Sequence, residues 1–158
     1  MRVDSSPADV SVIGNAYLTL RAIDQTFALP IQFARSIFKI EALTRVPLAP
    51  PHLVGLSYLR SGIVGIVCLR RRLDPDASAL GVGALAVAIE LGAETFALAV
   101  QQIGDVIHAH AEDQSPTADP RDSRQEAVTT RIIRSGATFI PVLDPFRVFD
   151  IRRSAGTV

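Results

Sequence analysis

The sequence predicts a mostly β, barrel-like protein rather than a parallel α/β one, and three observations carry that prediction. Apolar residues recur at spacing two in short segments along most of the chain. Brief polar or glycine-containing turns join those segments, and a single helix-start signal stands near the C-terminus. Of 158 residues, 48% are hydrophobic, which is enough to fill a sizeable core in one domain or in one domain of two closely packed lobes.

Ala16 to Ile23 alternates, with Ala16, Leu18, Leu20 and Ala22 on one face. Asp24-Gln25 breaks the run and Thr26 to Ile31 returns, a first hairpin in which Pro30 marks a strand end or a sheet edge. Phe33 to Ile37 reads as one helical turn, and Phe38 to Glu41 goes back to spacing two. The most informative stretch is Val46 to Arg70, where a proline-rich lead-in precedes two apolar segments around a polar turn. Leu56, Tyr58 and Arg60 sit at spacing two, as do Ile63, Gly65 and Val67. This predicts a hairpin with Arg60-Ser61-Gly62 at its tip.

Arg70 to Asp76 reads as a charged connector. Ala84 to Leu91 is a strand, Gly92-Ala93-Glu94 a turn, Thr95 to Gln101 the returning strand, and Ile103 to Ala109 continues extended. Glu112 to Glu126 is polar, holds Pro116 and Pro120, and reads as a long surface loop. Thr129 to Arg134 and Ala137 to Leu143 form the last hairpin about Ser135-Gly136. Asp144 caps a short C-terminal helix with Pro145 at its first position, and Phe146, Phe149 and Ile151 dock it.

Composition excludes several classes of function. Formal net charge is zero, which argues against a nucleic-acid binder relying on a basic face. Cys68 is the only cysteine, so no intramolecular disulfide forms and nothing points to an oxidising compartment. Residues 1 to 15 lack the basic start and apolar core of a signal peptide and read as a tail. The longest uncharged apolar run, Ala77 to Ile89, is short of the roughly 20 residues a membrane helix needs. A soluble cytoplasmic protein without membrane insertion is expected.

No catalytic set emerges. Gly81-Val82-Gly83-Ala84-Leu85-Ala86 matches a dinucleotide fingerprint, but a charged connector precedes it and a strand follows, so no cofactor is expected there. His108, His110 and Glu112 fall at spacing two and could ligate zinc; without a fourth ligand they read as strand-end residues, and no metal is expected. Cys68 stands among apolar neighbours as an inert thiol. The sole lysine, Lys39, fits neither Schiff-base nor P-loop chemistry. Arg60 is different: a planar five-donor group on an apolar hairpin suits carboxylate recognition on a partner.

From Arg45 to Arg72 the chain resembles the CheW family, adaptors that couple chemoreceptors to the histidine kinase CheA. The resemblance rests on Ala49-Pro50-Pro51, Leu53-Val54-Gly55, Tyr58-Leu59-Arg60-Ser61, the strand Ile63 to Val67, and Val67-Cys68-Leu69-Arg70. It extends over Thr26 to Ile37, Ala84 to Val106 and Ala137 to Phe149. It implies two SH3-like five-stranded β-barrel lobes sharing an interlobe core across residues 16–153, with 1–15 and 154–158 as tails. It implies no catalysis and two partners: the regulatory domain of CheA and the cytoplasmic tip of a methyl-accepting chemoreceptor. Carried over by position, the receptor-binding residues are Gly55, Leu59 and Arg60. The chain departs from the family pattern at Ser36 (glutamate in many members), Tyr58 (asparagine), Ser61 (glycine), Gly65 (proline) and Cys68 (aspartate). Two alternatives stay open: an adaptor of the same fold in a non-chemotactic pathway such as surface motility, and a small metal-binding β-barrel enzyme using His108, His110 and Glu112.

Overall fold

Each expected hairpin forms. The computed structural model describes residues 15–60, 62–116 and 123–150. Strands β1 (Ala16–Ala22) and β2 (Gln25–Pro30) pair antiparallel about Ile23-Asp24, both with positive φ (51° and 56°). Positive φ at both central residues is the primed turn that matches strand twist. The turn therefore precedes the expected Asp24-Gln25 break by one residue, and Pro30 ends its strand. Strands β4 (Leu53–Leu59) and β5 (Gly62–Cys68) pair with Leu59 opposite Gly62. Of the tip residues, Ser61 lies outside the described residues.

The strands β6 (Leu85–Leu91), β7 (Glu94–Val100) and β8 (Gln102–His108) follow, and β10 (Thr129–Ser135) and β11 (Thr138–Leu143) form the last hairpin. Two sheets result. One has the order β8-β1-β2-β11-β10-β9, where β9 is Gln114–Pro116; the other runs β3-β6-β7-β5-β4, where β3 is Ala34–Lys39. The first lobe is thus assembled from both ends of the chain and the second from its middle. Pairing is antiparallel apart from β5 with β7 and β2 with β11. The expected mostly β, two-lobe architecture is observed, with the three-residue β9 added as a sixth strand to the first sheet.

One core joins the lobes. Leu18, Leu20, Phe27 and Leu29 of the first sheet pack in one cluster with Val67, Val87, Ile89 and Leu98 of the second. Two short helices seal it: α1 (Leu69–Leu73) contributes Leu69 and Leu73, and the C-terminal helix contributes Val148, with Phe149 beside it. Asp144 caps that helix as expected, its Oδ1 accepting the Phe146 N–H at 3.0 Å, with Pro145 in the first turn. Phe149 stacks on Phe96 with centroids 4.9 Å apart, and Phe146 meets Phe33 edge-on at 6.2 Å. The expected docking residue Ile151 lies outside the described residues, as do the expected tails at 1–15 and 154–158 apart from Asn15.

Three expectations are corrected. Phe33 to Ile37 is not a helical turn: a 3-10 turn occupies Ile31–Phe33 and β3 follows, because the ladder to β6 outweighs the poor stability of a single helical turn. The Arg70 to Asp76 connector begins inside α1, whose buried Leu69 and Leu73 are four residues apart and flank three arginines. The polar stretch from Glu112 to Glu126 is not wholly loop, since it supplies β9, which pairs with β10, and helix α2 (Ser123–Glu126). Among the described residues no helix is long and apolar enough to cross a membrane.

Candidate functional site

Strands β3 and β4 are the two edges of the second sheet, and the chain beyond β3 curls them together. Thr44 and Leu56 exchange backbone hydrogen bonds at 2.9 and 2.8 Å, and Ser57 Oγ donates to the Ala42 carbonyl at 2.8 Å. Two grooves open along these edges. One, of about 540 Å³, is lined by Arg35, Ser36, Ile37, Phe38, Leu59, Arg60, Ala88, Glu90 and Thr95. The other, of about 410 Å³, is lined by Phe38, Lys39, Glu41, Ala42 and Thr44 on one side and by Leu56, Ser57, Tyr58 and Leu59 on the other. Phe38 and Leu59 belong to both, so the grooves share an apolar wall.

Arg60 is exposed at the rim, immediately after β4, and has no hydrogen bond or ion pair among the described residues. Its five donors are therefore available to a partner's carboxylate. Leu59 is half-buried beneath it. The rim carries apolar side chains that burial in this chain does not account for: Ile37 is 51% exposed, and the cross-strand pair Tyr58 and Ile63 are 77% and 59% exposed. Arg35 and Glu90 form an exposed ion pair at 3.4 Å across the β3–β6 wall, too solvated to hold the site together.

Of the three residues carried over from the resemblance, Leu59 and Arg60 line one groove. Gly55 does not. It is buried in β4, and a Cβ there would stand 2.8 Å from the Thr44 carbonyl oxygen. Its lack of a side chain lets the 40–46 segment lie against β4, which shapes the grooves from below. Ser36 lies in the larger groove, so that departure from the family pattern falls on the site itself. Ile37 and Phe38 are hidden in the sequence as groove residues because the segment before Phe38 reads as a helical turn, and Glu90 because only the pairing of β6 with β3 brings it there. The alternation of Arg35, Ile37 and Lys39 against Ala34, Ser36 and Phe38 was the available signal.

The remaining candidates are dispersed. Gly81 to Ala84 forms a turn, with the Ala84 N–H donating to the Gly81 carbonyl at 2.9 Å, and it leads into a strand, so no helix N-terminus meets a phosphate. His108, His110 and Glu112 are exposed at the end of β8 and beyond it. The adjacent Asp113 is engaged by Arg134 at 2.8 Å, a hydrogen bond that holds its carboxyl below the usual range. Among the described residues no three His, Cys, Asp or Glu side chains are grouped to hold a metal. Cys68 is a buried free thiol, and Lys39 is exposed on β3. His52 is pushed below the usual imidazole range by burial and by the Arg72 guanidinium, against the opposing pull of Asp150.

Comparison with known proteins agrees with this architecture. Residues 16–153 match the family model described as a CheW-like domain. Over 106 residues the chain is 26% identical to the chemotaxis protein CheW of Rhizobium meliloti (strain 1021), covering 67% of this chain and 68% of that protein. Its fold matches the crystal structure of the scaffolding protein TtCheW from Thermoanaerobacter tengcongensis with a TM-score of 0.75 at 16% identity, over 88% of this chain and 94% of the other. With the family model spanning both lobes and the interlobe core, this chain belongs to the CheW-like domain family.

Proposed function

We propose that this chain is a non-catalytic cytoplasmic adaptor that couples chemoreceptors to the histidine kinase CheA. The family match supports a scaffolding role in chemotaxis; the pairing of these two partners is the finer reading. One observation carries it. Arg60, without a partner among the described residues, stands at the rim of an apolar groove built from Leu59, Ile37 and Phe38. A helical hairpin tip laying apolar residues into that groove, with a carboxylate on the arginine, uses both features. The mechanism is geometric: holding the regulatory domain of CheA at a fixed place relative to the receptor lets receptor conformation bias the kinase between states.

The test is binding of a receptor-tip fragment and of the CheA regulatory domain to wild type and to Arg60→Ala. Receptor affinity falls by about tenfold or more, the scale of an interface anchor. Kinase-domain affinity and melting temperature stay near wild type. Equal loss of both partners, or unfolding, overturns the assignment. A second reading, an adaptor of the same fold in a non-chemotactic pathway, is favoured by Ser36 and Tyr58, which change the groove and its rim. Capture of only one of the two partners supports it.

A further inference from the structure

A groove of about 320 Å³ lies between the segment 45–54 and α1, apart from the two grooves along β3 and β4, with which it shares no residue. Arg45 and Arg71 line it, Val46, Leu53 and Val54 give it an apolar wall, and no Asp or Glu is among its lining residues. From Ala42 to Leu73 the sequence has five arginines and no acid, in a chain of zero net charge. Asp74, the first acid beyond them, pairs with Arg124 at 3.5 Å. The positive charge of the groove is therefore not answered from within the fold.

Arg71 is set in place. Its Nε donates to the Ala77 carbonyl at 2.8 Å and its Nη1 to the Pro51 carbonyl at 3.2 Å, which leaves both Nη2 donors for a ligand. Arg45 is exposed and has no hydrogen bond or ion pair among the described residues. The facing loop is stiff: it holds prolines at 47, 50 and 51, and the Leu53 N–H donates to the Pro50 carbonyl at 3.0 Å. A groove already rigid loses little entropy on binding. Leu48, at its mouth, carries two costs at once: it is fully exposed, at 105% of the reference area, and its φ is +61°. Strain of this kind collects at ligand clamps.

We infer that this groove binds a small phosphate monoester, with Arg45 and Arg71 on the phosphate and Leu48, Val46 and Leu53 against its organic part. Two guanidiniums lining one groove with no acid between them repel each other, and a dianion removes that repulsion while accepting from both forks. A monoester phosphate is such a dianion near neutral pH, and a carboxylate supplies half its charge. The volume is at the small end for ligand clefts, which suits a phosphate with a few carbons rather than a nucleotide. The inference stands apart from the adaptor reading, because it uses none of the residues on which that reading rests.

The experiment is titration of the full chain with phenyl phosphate, benzoate and inorganic phosphate at constant ionic strength, followed by calorimetry and by backbone amide shifts. Phenyl phosphate binds with a Kd of about 1 mM or below, the scale that two charge-assisted forks supply, and shifts the amides of Val46, Leu53 and Ala79. Benzoate binds about tenfold more weakly, for want of the second charge. Arg45→Gln weakens phenyl phosphate by about tenfold at an unchanged melting temperature, since Arg45 is exposed and holds nothing. Arg70→Gln, which alters a neighbouring arginine outside the groove, leaves the affinity at the wild-type value. Leu48→Ala weakens phenyl phosphate by about fourfold, the burial of one methylene, and leaves inorganic phosphate unchanged. No binding at about 10 mM overturns the inference, as do amide shifts confined to other parts of the chain or equal losses in Arg45→Gln and Arg70→Gln. Benzoate binding as tightly as phenyl phosphate overturns the dianion. A short phosphoserine peptide binding tenfold tighter than phenyl phosphate moves the source of the phosphate to a protein side chain and overturns the small ester.

Discussion

Arg72 Nε donates to the Val148 carbonyl at 3.0 Å and its Nη2 to the Arg147 carbonyl at 3.1 Å, so α1 of the second lobe holds two end carbonyls of the C-terminal helix, α3 (Pro145–Val148). These are charge-assisted bonds to carbonyls at the helix end, and the Arg147 carbonyl also accepts the Asp150 N–H at 3.2 Å. Arg147 extends the contact by donating to the Thr129 carbonyl at 2.7 Å. The interlobe core is thereby fastened at the helix that closes it.

Arg72→Ala is expected to lower unfolding free energy by about 1–2 kcal/mol, since it removes two bonds, one of them solvent-exposed. Denaturant titration measures this as a fall in midpoint at unchanged slope. Arg72→Lys recovers part of the loss, because one ammonium cannot reproduce the fork. A wild-type midpoint in Arg72→Ala means the contact contributes nothing.

His52 supplies a pH dependence. Its folded pKa lies below the ordinary 6.5, from burial first and Arg72 second. Below pH 6.5 the unfolded chain takes up a proton that the folded chain resists. Stability from this group is therefore complete above about pH 6.5 and declines as pH falls through the folded pKa. His52→Gln flattens that slope, and Arg72→Ala lessens it. Melting temperatures recorded from pH 7.5 to 5.5 decide; an identical slope in wild type and His52→Gln removes His52 as the cause.

Gly55→Ala places a Cβ 2.8 Å from the Thr44 backbone oxygen, where no flexible side chain can give way. A loss of about 1–3 kcal/mol is expected from overpacking. Receptor binding should weaken as well, because the 40–46 segment lines the smaller groove, which shares its Phe38 and Leu59 wall with the Arg60 groove. Normal stability with weakened receptor binding would instead mean that Gly55 meets the partner directly.

Asp144→Ala is expected to cost about 1 kcal/mol through loss of the cap on the closing helix, and Asp144→Asn to cost much less. Denaturant midpoints of the two variants check this. Equal losses would assign the effect to charge, for instance to the Arg147 ion pair at 3.6 Å, rather than to the cap.

The hairpins were legible because half-buried strands write spacing two directly into the sequence, and the Asp144-Pro145 start because caps are local. Arg60 was legible as a displayed arginine for the same reason. Elements that depend on a distant partner were hidden. The β3 strand reads as a helical turn until β6 pairs with it, and α1 reads as a connector because its arginines obscure two buried leucines. Leu48 carried no sequence signal, since its cost lies in backbone geometry and exposure.

The sequence by itself determined the class of the fold, its repeated hairpins and its capped closing helix, because each follows from contacts between near neighbours. Only the tertiary structure decided how the chain divides into lobes: β11 lies beside β2, so the first lobe draws on both ends of the chain. It alone brought Arg60 and Leu59 against Ile37 and Phe38 and put Gly55 beneath the surface. Those placements depend on contacts between residues far apart in sequence, and spacing along the chain carries no record of them.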